Sequence, residues 1–238
     1  MQQVESTKAV TVEPVAKAER TRAAILAAAE QHFARRGFVA TRLEDVAADV
    51  DLKRAALFYH FRDKQSLYEA VLADAFGVLT KRLEAAFSAP DPIPVRVERA
   101  CEVWVETVVA RPTLARLILR HAAEADEHGT KSMFPAADHL IALAWSTFEQ
   151  GRASGDFKPV HDDPFHAAST VIGATVFYVA AMAPLIPNAN FKPLDPEKVD
   201  AHKRDALRTV RLLLGISTPA AAAPARKKPA PRTKKKSR

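Results

Sequence analysis

The chain has 238 residues, 48% of them hydrophobic, with seven glycines, one cysteine and a formal net charge of +7. This content supports a substantial core, as one large domain or a small one plus a larger one. Low glycine and high alanine favour helices over sheets, lone Cys101 excludes an intrachain disulfide, and the absence of a signal-like or membrane-spanning apolar run points to a soluble, cytoplasmic protein with no membrane partner.

In chain order, residues 1–16 lack apolar periodicity and include Pro14, so they read as a flexible N-terminal arm. A first helix is predicted from about Ala18 to Arg36, with Ile25, Leu26, Ala29 and Phe33 on one face and Gly37 as its C-terminal cap. Short helices follow at Arg42 to about Val50 and Lys53 to about His60. A fourth, with Asp63 as N-cap, runs to about Phe87 and turns Leu67, Val71, Leu72, Phe76, Leu79 and Leu83 inward, long enough to leave one domain and enter the next. Pro90, Pro92 and Pro94 then break the chain. Helical patterns recur at about 94–110, 112–127, 133–153, 163–183 and 197–214, with Pro184–Pro196 as a polar, proline-rich connection. The expected fold class is all-α, about nine helices: a three-helix head at 17–64, a larger helical domain at 65–217, and a disordered Lys/Arg/Pro/Ala-rich tail at 218–238.

The positive charge is unevenly placed. Residues 224–238 carry eight Lys or Arg and no acid, so the rest of the chain has a net charge of −1. Within that rest, residues 17–64 hold ten basic and seven acidic side chains, against 16 and 19 in residues 65–223. A mildly positive head on a mildly negative body fits a DNA-binding domain joined to one that must not adhere to DNA.

The segment Leu43–Lys64 is the most specific. Apolar residues fall at Leu43, Val46, Ala47 and Val50 and resume at Leu52, Ala56, Leu57 and Phe61 after a break at Asp51. Two helices joined by a tight turn share one core, and Asp51 is the pivot, since Asp enters the left-handed region at tolerable cost. Such a helix pair either pushes its second helix into the DNA major groove or is an ordinary antiparallel pair of a small helical domain. The run Thr41, Leu43, Val46-Ala47, Asp51, Leu52, Leu57-Phe58, Tyr59-His60-Phe61 and Lys64, with Gln31 to Phe38 upstream, resembles the tetracycline-repressor (TetR) family of one-component regulators over roughly residues 18–80.

That resemblance implies base contacts from the turn and the first residues of the recognition helix, and phosphate contacts from the aromatic-His-Lys positions. By it, Lys53, Arg54, Ala55 and Ala56 lie at the groove-facing start, with Arg54 suited to a bidentate contact with guanine. Tyr59, His60 and Lys64 are implied phosphate contacts, and Arg42 is a further one. Ala56 and Phe58 stand where the family usually has Thr and Tyr, which deletes two hydroxyls, and Lys53 replaces the usual Ser cap. Phosphate affinity then shifts onto Lys53 and Arg54, with a steeper salt dependence. The tail ARKKPAPRTKKKSR attracts polyanions without regard to sequence, or serves only solubility.

In the body, an apolar pocket is expected from Trp104, Trp145, Phe148 and Phe177, with Thr107, Arg116, His121, His139 and Tyr178 available to orient a small-molecule effector whose identity the sequence leaves open. Residues 165–183 are apolar around most of the helix and must be covered. The resemblance implies that this helix and the last one pair with their copies in a homodimer, through His166, Thr170, Gly173, Ala174, Ala181, Leu207, Val210 and Leu214; ordinary intrachain packing is the other reading. No enzyme chemistry stands out and no cofactor or metal is implied, because the histidines lack metal spacing and Gly151–Gly155 lacks the Gly-Lys-Ser/Thr of a phosphate loop. The expected function is a regulator, most simply a repressor that a ligand releases from a palindromic double-stranded operator. The alternative is a nucleoid-associated architectural protein with no effector.

Overall fold

The computed structural model describes residues 12–124 and 137–217. Among them the chain forms α1 (Val12–Ala40), α2 (Leu43–Ala48), α3 (Arg54–His60), α4 (Lys64–Phe87), α5 (Ile93–Ala110), α6 (Thr113–Glu124), α7 (Ala137–Ser154), α8 (Phe165–Ala180), α9 (Met182–Leu185), a 3-10 turn (Pro187–Ala189) and α10 (Pro196–Leu214), with no strand. The expected tail, most of the expected arm and the expected helix start at residue 133 lie outside the described residues.

Helix α1 begins at Val12, earlier than its apolar pattern, because Pro14 falls in the first turn, where its missing N–H has no intrahelical partner to lose. Gly37 interrupts it with φ 78° and ψ 179°, and one further helical turn reaches Ala40. A Cβ at Gly37 would collide with the Glu124 carboxylate, which comes in from the end of α6 to accept the Phe38 N–H at 2.8 Å. Asp63 caps α4 reciprocally with Ser66, whose N–H it accepts at 2.7 Å. That bond, with Arg62 alongside, holds the Asp63 carboxyl below the usual carboxylate range.

Ile25, Phe33, Val46, Leu57 and Leu67 fill the head core, and Phe33 meets Tyr68 edge-on at 4.8 Å between ring centres. Helix α4 then leaves the head, burying Val71, Phe76 and Leu79 against the body, and packs on α1, α5 and α7. Helices α8 and α10 pack on each other and on α5. Gly215 ends α10 at φ 60°, with the Ile216 N–H donating to Arg211 O at 2.9 Å. Two unsatisfied carbonyls of that end, Leu213 and Leu214, accept from Val160 and Lys158, which fixes the α7–α8 connection. Helix α8 stops at Ala180, short of the expected 183, because Ala181 departs to φ −112°, and α9 and the 3-10 turn fill part of the proline-rich connection.

Head and body are clamped at a buried carboxylate. Glu30 of α1 is 4% exposed and accepts from Arg111 Nε at 2.9 Å, from Arg111 Nη2 and from Thr113 Oγ1, while Arg111 also reaches Asp74 of α4 at 2.9 Å. Removing one partner of a buried ion pair strands the other. Arg111→Ala is expected to lower unfolding free energy by about 2–4 kcal/mol, reduced from the fully buried case because Arg111 is partly exposed; urea denaturation of the variant and parent checks this.

Candidate functional site

The α2–α3 turn is built from the backbone. Asp51 takes φ 55°, its N–H donates to Ala48 O at 3.2 Å, and the Leu52 N–H donates to Ala47 O at 2.9 Å, the paired bonds of a Schellman ending. A side chain that the sequence reading passed over pins this turn to α1: His32, 3% exposed, sits 2.8 Å through Nε2 from Asp49 Oδ2. The signal was the polar His32 inside an otherwise apolar stripe beside Phe33, but its partner is 17 residues away.

Beyond the turn, Lys53 opens α3 in an extended conformation with no side-chain cap and is exposed, as are Arg54 and Ala55. Ala56 is half-buried, Tyr59 is 85% exposed, and the Tyr59 ring stands edge-on to half-buried His60. Arg42, exposed, occupies the same capping position on α2. Arg54 Nη1 lies 2.6 Å from Glu44 Oε1, and its guanidinium covers the Phe58 ring at 5.5 Å. Glu44, also unanticipated, therefore holds Arg54 on the α2 side of the helix pair. Lys64 turns elsewhere: its Nζ donates to Val39 O at 2.8 Å and sits over the Phe38 ring, and burial lowers its pKa. It closes the end of α1, so it stands apart from the exposed Lys53, Arg54 and Tyr59 group.

In the body, α4, α5, α7, α8 and α10 enclose a cavity of about 350 Å³. Of the expected pocket residues, Trp104 and Phe148 line it. The others lie apart: Thr107 accepts from Arg82 at 2.8 Å, Arg116 and His139 are exposed, and His121 sits 3.1 Å from the Tyr68 hydroxyl. Trp145 rests on Phe165, Phe177 is 47% exposed, and Tyr178 stacks on His202 at 4.3 Å. The residues nominated for a homodimer divide likewise. His166, Thr170, Gly173 and Ala174 share the exposed side of α8, and Ala181 and Leu207 are half-buried. Val210 and Leu214 turn inward and line the cavity. The lining stripe Val97, Ala100, Cys101, Trp104 has helical spacing and was visible as such, but periodicity does not tell a stripe that meets a void from one that meets a side chain.

The fold and this turn define an all-helical protein with an N-terminal helix-turn-helix and a larger helical body. Residues 25–71 match the model of the bacterial regulatory proteins, tetR family. It is 37% identical over 82 residues to the HTH-type transcriptional repressor BepR of Brucella suis, a stretch that covers 34% of this chain and 39% of BepR. The chain thus spans well under two thirds of that relative's length. The solved SCO4942 protein of Streptomyces coelicolor superposes with a TM-score of 0.63 at 21% identity, covering 83% of this chain and 99% of its own. AibR, solved with isovaleryl coenzyme A and operator DNA, gives 0.60 at 17% identity over 83% and 100%. These two likenesses show the fold. Among the described residues, no helix is long and apolar enough to cross a membrane.

Because Asp51 occupies the left-handed region, a β-branched side chain there is strained and glycine is not. Asp51→Val is expected to cost about 1–2 kcal/mol relative to Asp51→Gly, read from the thermal unfolding midpoints of the two variants.

Proposed function

We propose that the chain is a sequence-specific DNA-binding transcriptional regulator, a repressor that works as a homodimer in the cytoplasm, at the nucleoid, and leaves its operator when a small-molecule effector occupies the body cavity. The observation that carries this reading is the Schellman turn that presents Lys53, Arg54 and Tyr59 together at the start and outer face of α3. The family match over residues 25–71 supports it, as does the repressor BepR. Magnitudes favour Arg54 as the reading residue. Its surface pair with Glu44 is worth about 0–1 kcal/mol, whereas a bidentate contact to guanine discriminates by about 1–3 kcal/mol. DNA can therefore take the guanidinium from Glu44. Lys53, exposed at the same helix start, is assigned to phosphate in this reading.

For the homodimer, the support is the outward face of α8, where Ile172, Gly173, Ala174 and Phe177 are exposed and a Cβ added at Gly173 meets nothing within 4 Å. Apolar and small residues together let a second helix approach closely. Two heads related by a two-fold axis reach successive major grooves about 34–36 Å apart. For the effector, the support is the cavity, together with the fact that AibR, a protein of the same fold, was solved with an acyl coenzyme A as well as operator DNA.

Selection of bound sequences from random DNA, followed by footprinting, tests the reading. A short protected palindrome is expected, and broad protection that does not saturate would mean an architectural protein. On the selected site, Arg54→Ala should weaken binding by about 1–3 kcal/mol and relax preference at one base pair. Lys53→Ala should weaken all sequences alike and reduce the slope of log affinity against log salt by about 0.9, both by fluorescence anisotropy. Sedimentation should give a dimer that Gly173→Glu converts to monomer.

A further inference from the structure

The cavity is open at one end and closed at the other. Its mouth lies between α7 and α8, where lining residues Ile141, Phe165 and Ile172 are exposed. About 15 Å further along α7, at Gly151, the lining residue Phe157 is 3% exposed and shuts the far end.

Phe157 is fixed there by its backbone. Its N–H donates to Gly151 O at 2.9 Å, and the residues after it are tied to the end of α10, Lys158 N–H to Leu214 O and Val160 N–H to Leu213 O, both at 2.9 Å. The ring tilts against Phe148, with 6.4 Å between ring centres. Gly151 is what admits it. A Cβ at Gly151 would collide with Cδ2 and Cε2 of the Phe157 ring and lie 2.7 Å from its Cγ. Cγ is the root of the ring and cannot swing away as a side-chain tip would, so the ring would have to move into the void on its other face. Gly151 lies inside α7 and is not among the glycines with positive φ. Glycine in a helix is otherwise less favourable than alanine, so what this position requires is space.

Apart from Cys101 and Trp104, the side chains lining the cavity carry no heteroatom. A run of methylenes suits such a wall, whereas a polar end group keeps its hydration only at the mouth. At the packing density of protein interiors, about 350 Å³ holds roughly 10–13 non-hydrogen atoms. A chain that enters with its apolar end first meets the Phe157 ring when that count is reached.

Resting on the reading above that this cavity takes the effector, we propose that Phe157, seated on Gly151, is the specificity-determining floor of the site. It sets the longest unbranched chain that the cavity accepts, with the polar end of the ligand at the mouth between α7 and α8.

The probes are the unbranched primary alcohols from 1-hexanol to 1-tetradecanol, titrated into the full chain. Tryptophan fluorescence follows them, because Trp104 lines the cavity and Trp145 rests on lining residue Phe165. In the parent, affinity should rise about fourfold per added methylene and level off at roughly 10–12 carbons, where the cavity is full. Phe157→Leu should move that plateau about two carbons longer, and Gly151→Ala, which drives the ring into the cavity, about two carbons shorter. A merely structural role for Phe157 would weaken every alcohol alike and leave the plateau where it is, so Gly151→Ala carries the test by itself should Phe157→Leu not fold. A plateau that stays in place in a folded variant, affinity still rising at 1-tetradecanol in the parent, or no alcohol binding by the folded chain would each overturn the proposal. Anisotropy on the selected operator separates the two readings. Alcohols that bind with the expected length limit and release no DNA support the floor and remove the effector role; alcohols that release DNA with no length limit remove the floor alone.

Discussion

The position of the head on the body depends on one buried carboxylate. Glu30 lies in the core of α1, yet its partners are Arg111 and Thr113 at the junction of α5 and α6, and Arg111 is shared with Asp74 on α4. Without Arg111 and Thr113 that carboxylate would be buried with no partner, so the head is complete only when the body is docked against it. Helix α6 extends the contact along α1, with Arg120 donating to Arg35 O at 3.0 Å, His121 beside Tyr68, and Glu124 closing on the Phe38 N–H at the Gly37 break. The last of these uses the space that a Cβ at position 37 would take, and Gly215 is placed as closely, against the Lys158 carbonyl.

Against that footing, the surface proposed to read DNA is small. His32 and Asp49 hold the turn, Lys64 is occupied with Val39 and Phe38, and His60 is half-buried. What remains projecting at the start of α3 is Lys53, Arg54 with its Glu44 partner, and, one turn on, Tyr59. Under the proposed function few groups then supply register and sequence preference, and the exchange of Glu44 for DNA by Arg54 becomes a central step in binding.

The cavity and the head are joined by helix α4. Helix α4 contributes Leu83 and Phe87 to the cavity wall at one end and Asp63 and Lys64 to the head at the other. Over 24 residues this is a rod of about 36 Å. In the proposed function, a ligand would move that rod only by as much as it prefers one of its positions to another. An apolar wall offers little beyond shape and burial to generate such a preference, so the fit against Trp104, Phe148 and the α4 residues must provide it.

Helix existence and order were readable from periodicity, since Ile25, Phe33, Leu57, Leu67 and Phe76 recur at helical spacing and all proved buried. Local chemistry was readable as well: Asp63 as a cap and Asp51 as the left-handed pivot follow from what those side chains can do within a few residues of themselves. Long-range partners were not. Nothing near Glu30 indicates Arg111, nothing near Arg54 marks Glu44 as its partner, and Lys64 looks like an exposed phosphate ligand until the end of α1 is placed beneath it. The pocket shows the same division, for Trp104 and Phe148 were found by their size and apolarity, while Thr107, His121 and Tyr178 were claimed by neighbours from other helices. Helical spacing is a property of one segment, so the chain alone dictated its helices, its turn and its caps. A void and an ion pair are properties of several segments at once, so only the packing of α4, α5, α7, α8 and α10 decided where the cavity lies and which charges stay free.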